Sequence, residues 1–207
     1  MKQRHRIFIA INLPENIKKK LVEYQKKWPE LPVRWTKPDS LHITLAFLGY
    51  LKDEELVEIC KITREVASRH TSFEVRLNKI SYGPNGKKPP RPPKFSETVT
   101  SEEDNNGLRK FGRPRMIWAA GEKSEEFTAL KNDLDKLLAS SEGRQFSLHI
   151  TLGRIRQWEW RRIEPEDRPE VEEEIDLLFP VNSIEIMESV LKRGGPKYNI
   201  IESINLV

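Results

Sequence analysis

The hexapeptide Ser-Leu-His-Ile-Thr-Leu occurs twice in this chain, at residues 40–45 and again at residues 147–152. With ordinary residue frequencies, the chance of a repeated hexapeptide in a chain of 207 residues is on the order of one in a thousand. The repeat therefore indicates an internal duplication, with one copy of a common unit in each half of the chain.

Each copy is predicted to be a β-strand with one polar and one apolar face. Because side chains alternate along a strand, His42 and Thr44 project to one side while Ile43 projects to the other. His149 and Thr151 follow the same pattern in the second copy. Two duplicated halves are expected to bring these polar faces together across one cleft.

The segments around the two copies follow one order, and this order predicts the fold. Apolar runs and helical periodicity predict strands at residues 6–12, 33–36, 41–50, 73–80, 115–121, 146–153, 182–191 and 198–207, with helices at residues 14–28, 53–68 and 124–140. We therefore predict an α+β fold, bilobal and duplicated, with two antiparallel sheets flanked by helices around a central cleft. Residues 1–207 are expected to form a single two-lobed domain.

Two segments lie outside this order. Residues 83–114 are rich first in proline and then in polar residues, which predicts a flexible insertion. Its basic side chains could guide RNA, although a charged loop is more often only solvated. Residues 164–176 are acidic and contain prolines, and we interpret them as a surface loop with a short helix and no chemistry.

Composition limits the class of protein. Lys and Arg number 36 against 32 acidic residues, which gives a net charge of +4. This small excess of positive charge suits a polyanionic partner, but a dedicated duplex DNA binder is usually more basic. The single cysteine, Cys60, has no disulfide partner, and no zinc motif is present, so no metal or other cofactor is predicted. The lone cysteine fits a reducing cytoplasm, and no apolar run is long enough for a membrane span or signal peptide. Since nothing in the sequence suggests a partner protein, we expect a cytoplasmic monomer with no required protein partner.

A pair of histidines suits the opening of a cyclic phosphodiester. One group must take a proton from water while another gives a proton to the departing ribose oxygen, and imidazole can do either near neutral pH. The hydroxyls of Thr44 and Thr151 could bind the non-bridging oxygens. A histidine on a half-buried strand is more often structural, and the duplication is what favours catalysis by His42 and His149.

Other roles for the histidines receive less support. A zinc site would need further ligands, and none stands at ligand spacing. The remaining histidines, His5 and His70, have no comparable context and are predicted to be surface residues.

At these residues the chain resembles the two-histidine phosphoesterase superfamily, which has two His-x-Thr-hydrophobic motifs. Within it, the likeness is to the RNA 2′,3′-cyclic phosphodiesterases, also called 2′-5′ RNA ligases. The likeness extends over residues 8–11, 33–35, 46–49, 117–118, 188–189, 194–195 and Tyr198. It implies a bilobal fold of two similar α+β halves with both motifs lining a central cleft.

The resemblance also implies a reaction and its residues. It implies metal-independent hydrolysis of RNA 2′,3′-cyclic phosphate ends, or of small cyclic nucleotides, to a 2′-phosphate. His42 would be the general acid, His149 the general base, and Thr44 and Thr151 the phosphate-binding residues. Because the two hexapeptides are identical, the sequence alone does not assign acid and base.

Arg154 and Tyr198 are two further candidate substrate-binding residues. Arg154 matches a phosphate-binding arginine of the family, but strict alternation gives it the parity of Leu152, so it reaches the cleft only if Gly153 ends the strand or forms a bulge. Tyr198 is nominated as an aromatic platform for an RNA end. Phe47 has core parity and is expected to be buried.

Two other functions stay open. One is RNA end joining to a 2′-5′ linkage, the reverse reaction at the same histidines; ATP-driven ligation is disfavoured because no GxxxxGK[ST] loop is present. The other is a non-catalytic RNA-end-binding module in which the histidines only contact phosphate.

Overall fold

The computed structural model describes residues 4–83, 114–138, 146–193 and 195–207. Within these ranges the strands are β1 His5–Asn12, β2 Val33–Trp35, β3 His42–Leu51, β4 Phe73–Gly83, β5 Met116–Gly121, β6 His149–Ile155, β7 Glu172–Val181, β8 Ser183–Lys192 and β9 Gly195–Asn205. The α-helices are α1 Glu15–Gln25, α2 Asp53–Ala67, α3 Glu125–Leu138 and α4 Gln157–Trp160, with 3-10 turns at Pro38–Ser40 and Pro165–Asp167. Residues 84–113, nearly all of the predicted insertion, lie outside the described residues.

The nine strands form one sheet in the order β7-β4-β5-β6-β3-β1-β8-β9, with β2 paired to β6. The α+β class, with an antiparallel sheet flanked by helices, is confirmed. The expectation of two separate sheets is corrected, because β3 and β6, the strands of the two hexapeptides, pair antiparallel through Ile43 and Ile150. That bridge joins the half β7-β4-β5-β6, which also carries β2, to the half β3-β1-β8-β9 in a single sheet.

Each half of the sheet takes strands from both halves of the chain. β4, from the first half, pairs with β5 from the second, and β8, near the C-terminus, pairs with β1 at the N-terminus. The units β1-α1-β3 and β5-α3-β6 occupy corresponding places on the two sides of the central bridge. The predicted duplication is therefore visible in the topology.

The helices pack against one face of the sheet. Ile7 and Ile9 of β1 are buried in the same core as Ile17 and Leu21 of α1, and apolar residues of α2 and α3 join that core. The opposite face, here called the open face, carries a separate small cluster of Phe8, Ala10 and Met187 with Tyr198 packed against it. Among the described residues, no helix is long and apolar enough to cross a membrane.

The interpretation of residues 164–176 as a loop is wrong in its second part, where β7 begins at Glu172. Ile175, Leu177 and Phe179 are buried and alternate with exposed residues, which is the period of a strand with one face in the core. The acidic residues occupy the exposed positions and obscured this alternation. Acidic side chains and Pro180 are tolerated because β7 is an edge strand.

His5 and His70 are not the surface residues predicted, since their side chains are only 19% and 12% exposed. His5 Nδ1 lies 2.7 Å from a Glu188 oxygen and its Nε2 lies 3.2 Å from Asp53, and the hydrogen bond to Glu188 is the main cause that raises the pKa of His5. His70 Nε2 lies 3.1 Å from Asp133 of α3. Both histidines therefore tie elements together.

Candidate active site

The two repeated histidines lie on the open face, one residue away from the central bridge in each strand. Ile43 and Ile150 are fully buried on the helix side, so their neighbours His42 and His149 must project the other way. Antiparallel pairing makes the arrangement two-fold symmetric. The register places His42 towards Thr151, and the bridge thus gathers two imidazoles and two hydroxyls at one site.

Each imidazole is fixed by a hydrogen bond to the backbone two residues before it. His42 Nδ1 lies 2.8 Å from the Ser40 carbonyl oxygen, and His149 Nδ1 lies 2.7 Å from that of Ser147. Because a carbonyl oxygen can only accept, Nδ1 must carry hydrogen in both rings. Nε2 is therefore the nitrogen left to exchange protons, and in His42 it lies 3.0 Å from the Thr44 hydroxyl.

The surroundings of both histidines favour the neutral imidazole. Burial lowers the pKa of His42 below its usual 6.5; the bond to Ser40 opposes this, and charge on His149 lowers the pKa further. Burial likewise lowers the pKa of His149 against the opposing bond to Ser147. Charge on His149 thus disfavours charge on His42, which favours states in which the two rings are not both protonated.

Arg154 reaches the open face through a β-bulge in β6. Trp118 of β5 pairs with Thr151, but Ile117 pairs with Gly153, so Leu152 is an extra residue without a partner in β5. The extra residue reverses the alternation, and Arg154 is exposed opposite Met116. The bulge that the sequence argument required is therefore present.

A glycine is needed at this bulge because β2 approaches it closely. A Cβ atom on Gly153 would lie 2.3 Å from Val33 Cγ1 and 2.9 Å from the Trp35 ring. These distances are too short for non-bonded carbon atoms, so a larger residue would force β2 away. The close contact holds β2 beside Arg154.

The same bulge occurs in β3, and the expectation that Phe47 is buried is wrong. Ala10 pairs with Thr44 and Ile9 with Ala46, so Leu45 has no partner in β1. Phe47 is consequently 60% exposed, with its ring 6.2 Å from that of Phe8. Phe47 occupies the position in β3 that Arg154 occupies in β6, so the two strands present different groups at equivalent places.

Aromatic rings border the two histidines differently. The His42 ring lies 5.0 Å from Phe8 and 5.1 Å from Tyr198, which meets it edge-on. The His149 ring instead stacks on Trp118 at 3.8 Å between centroids and 24° between planes. Sequence reasoning did not assign Trp118 to the site. The sequence did offer one indication, because Trp118 follows the buried Ile117 and so must project to the opposite face of β5. That face is the open face, since Trp118 pairs with Thr151 of β6.

No group of three or more His, Cys, Asp or Glu side chains that could hold a metal ion occurs in the described part of the chain. The site as described consists of two imidazoles, two hydroxyls, a guanidinium and aromatic rings. Such a set can move protons and bind an anion.

Comparison with known proteins relates this geometry to a family. The model of the LigT-like phosphoesterases matches residues 11–93. A Thermus thermophilus protein named RNA 2′,3′-cyclic phosphodiesterase is 30% identical, over 97% of this chain and 90% of its own length. A crystal structure of a T. thermophilus protein superposes with a TM-score of 0.72 at 27% identity over 97% of both chains, and E. coli LigT complexed with 3′-AMP gives 0.68 at 23% over 99% of both.

We expect Trp118→Leu to raise the pKa of His149 towards 6.5. The indole covers one face of the imidazole, and removing it lets water stabilise the charged ring, whose burial is the main cause of the lowered pKa. NMR titration of the histidine ring protons measures this, with His70, which lies beside Asp133 and away from Trp118, as the internal control. A fall in the pKa of His149 would instead mean that the indole acts mainly by attracting the cation through its π face.

Proposed function

The chain belongs to the LigT-like phosphoesterase family, and from this premise we propose that it opens 2′,3′-cyclic phosphate ends of RNA by metal-independent acid-base catalysis between His42 and His149. The observation that carries the proposal is the presentation of two Nε2 atoms on one face about the Ile43–Ile150 bridge. The relatives from T. thermophilus and Methanocaldococcus jannaschii, both named RNA 2′,3′-cyclic phosphodiesterase, support the substrate class.

In the proposed reaction, water attacks phosphorus and the bond from phosphorus to O3′ breaks. His149 Nε2 takes a proton from the water, while the protonated His42 gives its Nε2 proton to O3′. The products are a 2′-phosphate and a free 3′-hydroxyl. The fixed Nδ1 hydrogen bonds support this scheme because they keep both Nε2 atoms on the open face, and the assignment of acid and base follows the family resemblance.

The transition state places negative charge on the non-bridging oxygens. Thr44 and Thr151 lie beside the histidines in the same strands, where their hydroxyls can donate to those oxygens. Arg154, brought to the open face by the bulge, can offer two parallel N–H groups to the phosphate. These three side chains would therefore stabilise the phosphate oxygens while the two histidines move the protons.

An aromatic surface beside His42 suits the terminal nucleoside. The surface consists of three rings, in which the Phe8 centroid lies 6.2 Å from that of Phe47 and 5.1 Å from that of Tyr198. Phe47 is the exposed ring of the three. Bases of single-stranded RNA commonly stack on such rings. We therefore place the base of the terminal nucleotide on Phe47 and give Tyr198 the position between base and His42.

The reaction is tested with a short RNA that ends in a 2′,3′-cyclic phosphate. His42→Ala and His149→Ala should each lower kcat by roughly 100-fold or more while the RNA still binds, because general acid or base catalysis is lost. His70→Asn, which changes a histidine remote from the open face, is the matched control and should retain activity. Retained turnover in either alanine variant, or a 3′-phosphate product, would refute the proposed mechanism.

The dependence of kcat/KM on pH should be bell-shaped, with its maximum on the acidic side of 6.5, and should be unchanged by EDTA. The acidic limb reports protonation of the base and the alkaline limb loss of the proton from the acid, and burial lowers both pKa values in the free enzyme. In the enzyme–substrate complex, the anionic phosphate raises the pKa values of the two histidines. The maximum of kcat should therefore lie at a higher pH than the maximum of kcat/KM. A rise in kcat/KM that continues above about pH 8, or loss of activity in EDTA, would contradict a histidine pair acting alone.

Phe47→Ala should raise KM by about tenfold, since stacking of a base on an aromatic ring contributes roughly 1–3 kcal/mol. The kcat value should change little because Phe47 touches none of the reacting atoms. Val57→Ala, which removes an exposed apolar side chain from α2 on the helix side of the sheet, is the control. An equal effect of Phe47→Ala on a substrate without a base would show that the ring acts on the fold and not on the base.

A further inference from the structure

A basic pocket adjoins the histidine site on the His42 side. It has a volume of about 360 Å³ and lies between the 3-10 turn Pro38–Ser40 and the hairpin of β8 and β9. Three lysines and one acidic residue, Asp39, line it; the lysines are Lys37, Lys192 and Lys197. The lining therefore carries a net positive charge and suits a small anion.

The pocket and the histidine site share two walls. Ser40, which lines the pocket, accepts the hydrogen bond from His42 Nδ1 at 2.8 Å. Tyr198 also lines the pocket, and its ring lies 5.1 Å from the His42 ring. The pocket therefore borders the His42 side of the histidine site.

Arg34 adds a guanidinium to the hairpin side of this region. Lys192 pairs with Gly195 across the hairpin and Lys197 lies two residues further on, so the two lysines share one face of the hairpin. The guanidinium of Arg34 lies against that face, since a Cβ atom on Gly195 would be 1.6 Å from its Nη2. Gly195 has a φ of 109°, a conformation that favours glycine, and its lack of a Cβ atom leaves the space that the Arg34 guanidinium occupies.

Arg34 also joins this region to the phosphate side of the histidine site. In the pairing of β2 with β6, Arg34 stands directly opposite Arg154. Residues directly opposite each other on paired antiparallel strands project from the same face of the sheet, so both guanidinium groups start from the open face. Positive charge thus continues from Arg154 through Arg34 to the lysines of the hairpin.

We propose that this pocket binds the phosphodiester group immediately upstream of the cyclic end, so that the enzyme distinguishes an RNA chain from a single nucleotide. The inference rests on the proposed function and adds a second phosphate subsite to it. A nucleic-acid strand carries one negative charge per nucleotide, and the upstream diester leaves the same ribose whose cyclic phosphate lies at the histidines. Lysines act as flexible point charges for this group, and Arg34 lies between the two phosphates.

The experiment compares two substrates that differ only at the upstream position. One is adenosine 2′,3′-cyclic phosphate with a free 5′-hydroxyl, and the other carries a 5′-methyl phosphate, which is a singly charged diester. The wild-type kcat/KM should be roughly tenfold higher for the second, as expected for a charge-assisted contact. This advantage should diminish as the salt concentration rises. Each phosphate contact to a single strand lowers the logarithm of the binding constant by about 0.7 for a tenfold rise in salt concentration.

The variant Lys192→Met/Lys197→Met should reduce the ratio of the two kcat/KM values to near one without changing kcat/KM for the 5′-hydroxyl substrate. The matched control is Lys19→Met/Lys20→Met, which removes two exposed lysines from α1 on the helix side of the sheet and should keep the wild-type ratio. Because the ratio is taken within each protein, it is insensitive to a loss of folded enzyme.

A wild-type ratio near one, or a ratio that the hairpin variant leaves unchanged, would overturn the subsite while leaving the proposed function intact. If neither of these substrates nor the short RNA with a 2′,3′-cyclic phosphate end is opened, the proposed function fails. Calorimetric binding of adenosine 2′-phosphate and of its 5′-methyl phosphate derivative still reports on the pocket. Tighter binding of the derivative that disappears in the hairpin variant supports the pocket, and equal binding of the two ligands refutes it.

Discussion

Ile43 and Ile150 pair at the centre of the sheet, and the placement of the polar groups in the site follows from this pairing. Both side chains are fully buried in the core beneath the helices. A slip of one residue would exchange the faces of a whole strand, exposing these isoleucines and burying a histidine. Burial of apolar surface therefore fixes the register, and the register holds both imidazoles on the open face.

A second constraint acts just beyond each threonine. The bulges at Leu45 and Leu152 turn the following side chains, Phe47 and Arg154, from the core to the open face. The central imidazoles and hydroxyls are thus the same in the two strands, whereas the groups beside them differ. In the proposed reaction, the symmetric part exchanges protons, and the asymmetric part distinguishes the nucleoside side of the substrate from its phosphate.

Much of the site could be predicted from the sequence because the repeated hexapeptide marks it directly. Alternation placed each histidine on the same strand face as its threonine, and the duplication predicted that the two faces meet. Phe47 was misplaced because a bulge depends on which residues of the neighbouring strand are paired, and a single strand carries no sign of that pairing. Trp118 was missed for a related reason, since its stack on His149 requires β5 to lie beside β6. The errors in the fold have similar causes: one bridge between β3 and β6 was enough to join the two expected sheets, and β7 was hidden by glutamates that face solvent at an edge.

The exchange of strands between the halves also bears on how the molecule is made. β1 pairs with β8, as Ile7 with Glu188, and β4 of the first half of the chain pairs with β5 of the second half. Contacts this distant in sequence form late and slowly, since a long loop must close before they contribute stability. During synthesis on a ribosome, the first histidine strand therefore emerges long before its sheet can be completed. The nascent chain must keep β1 from pairing elsewhere until the last strands have been translated.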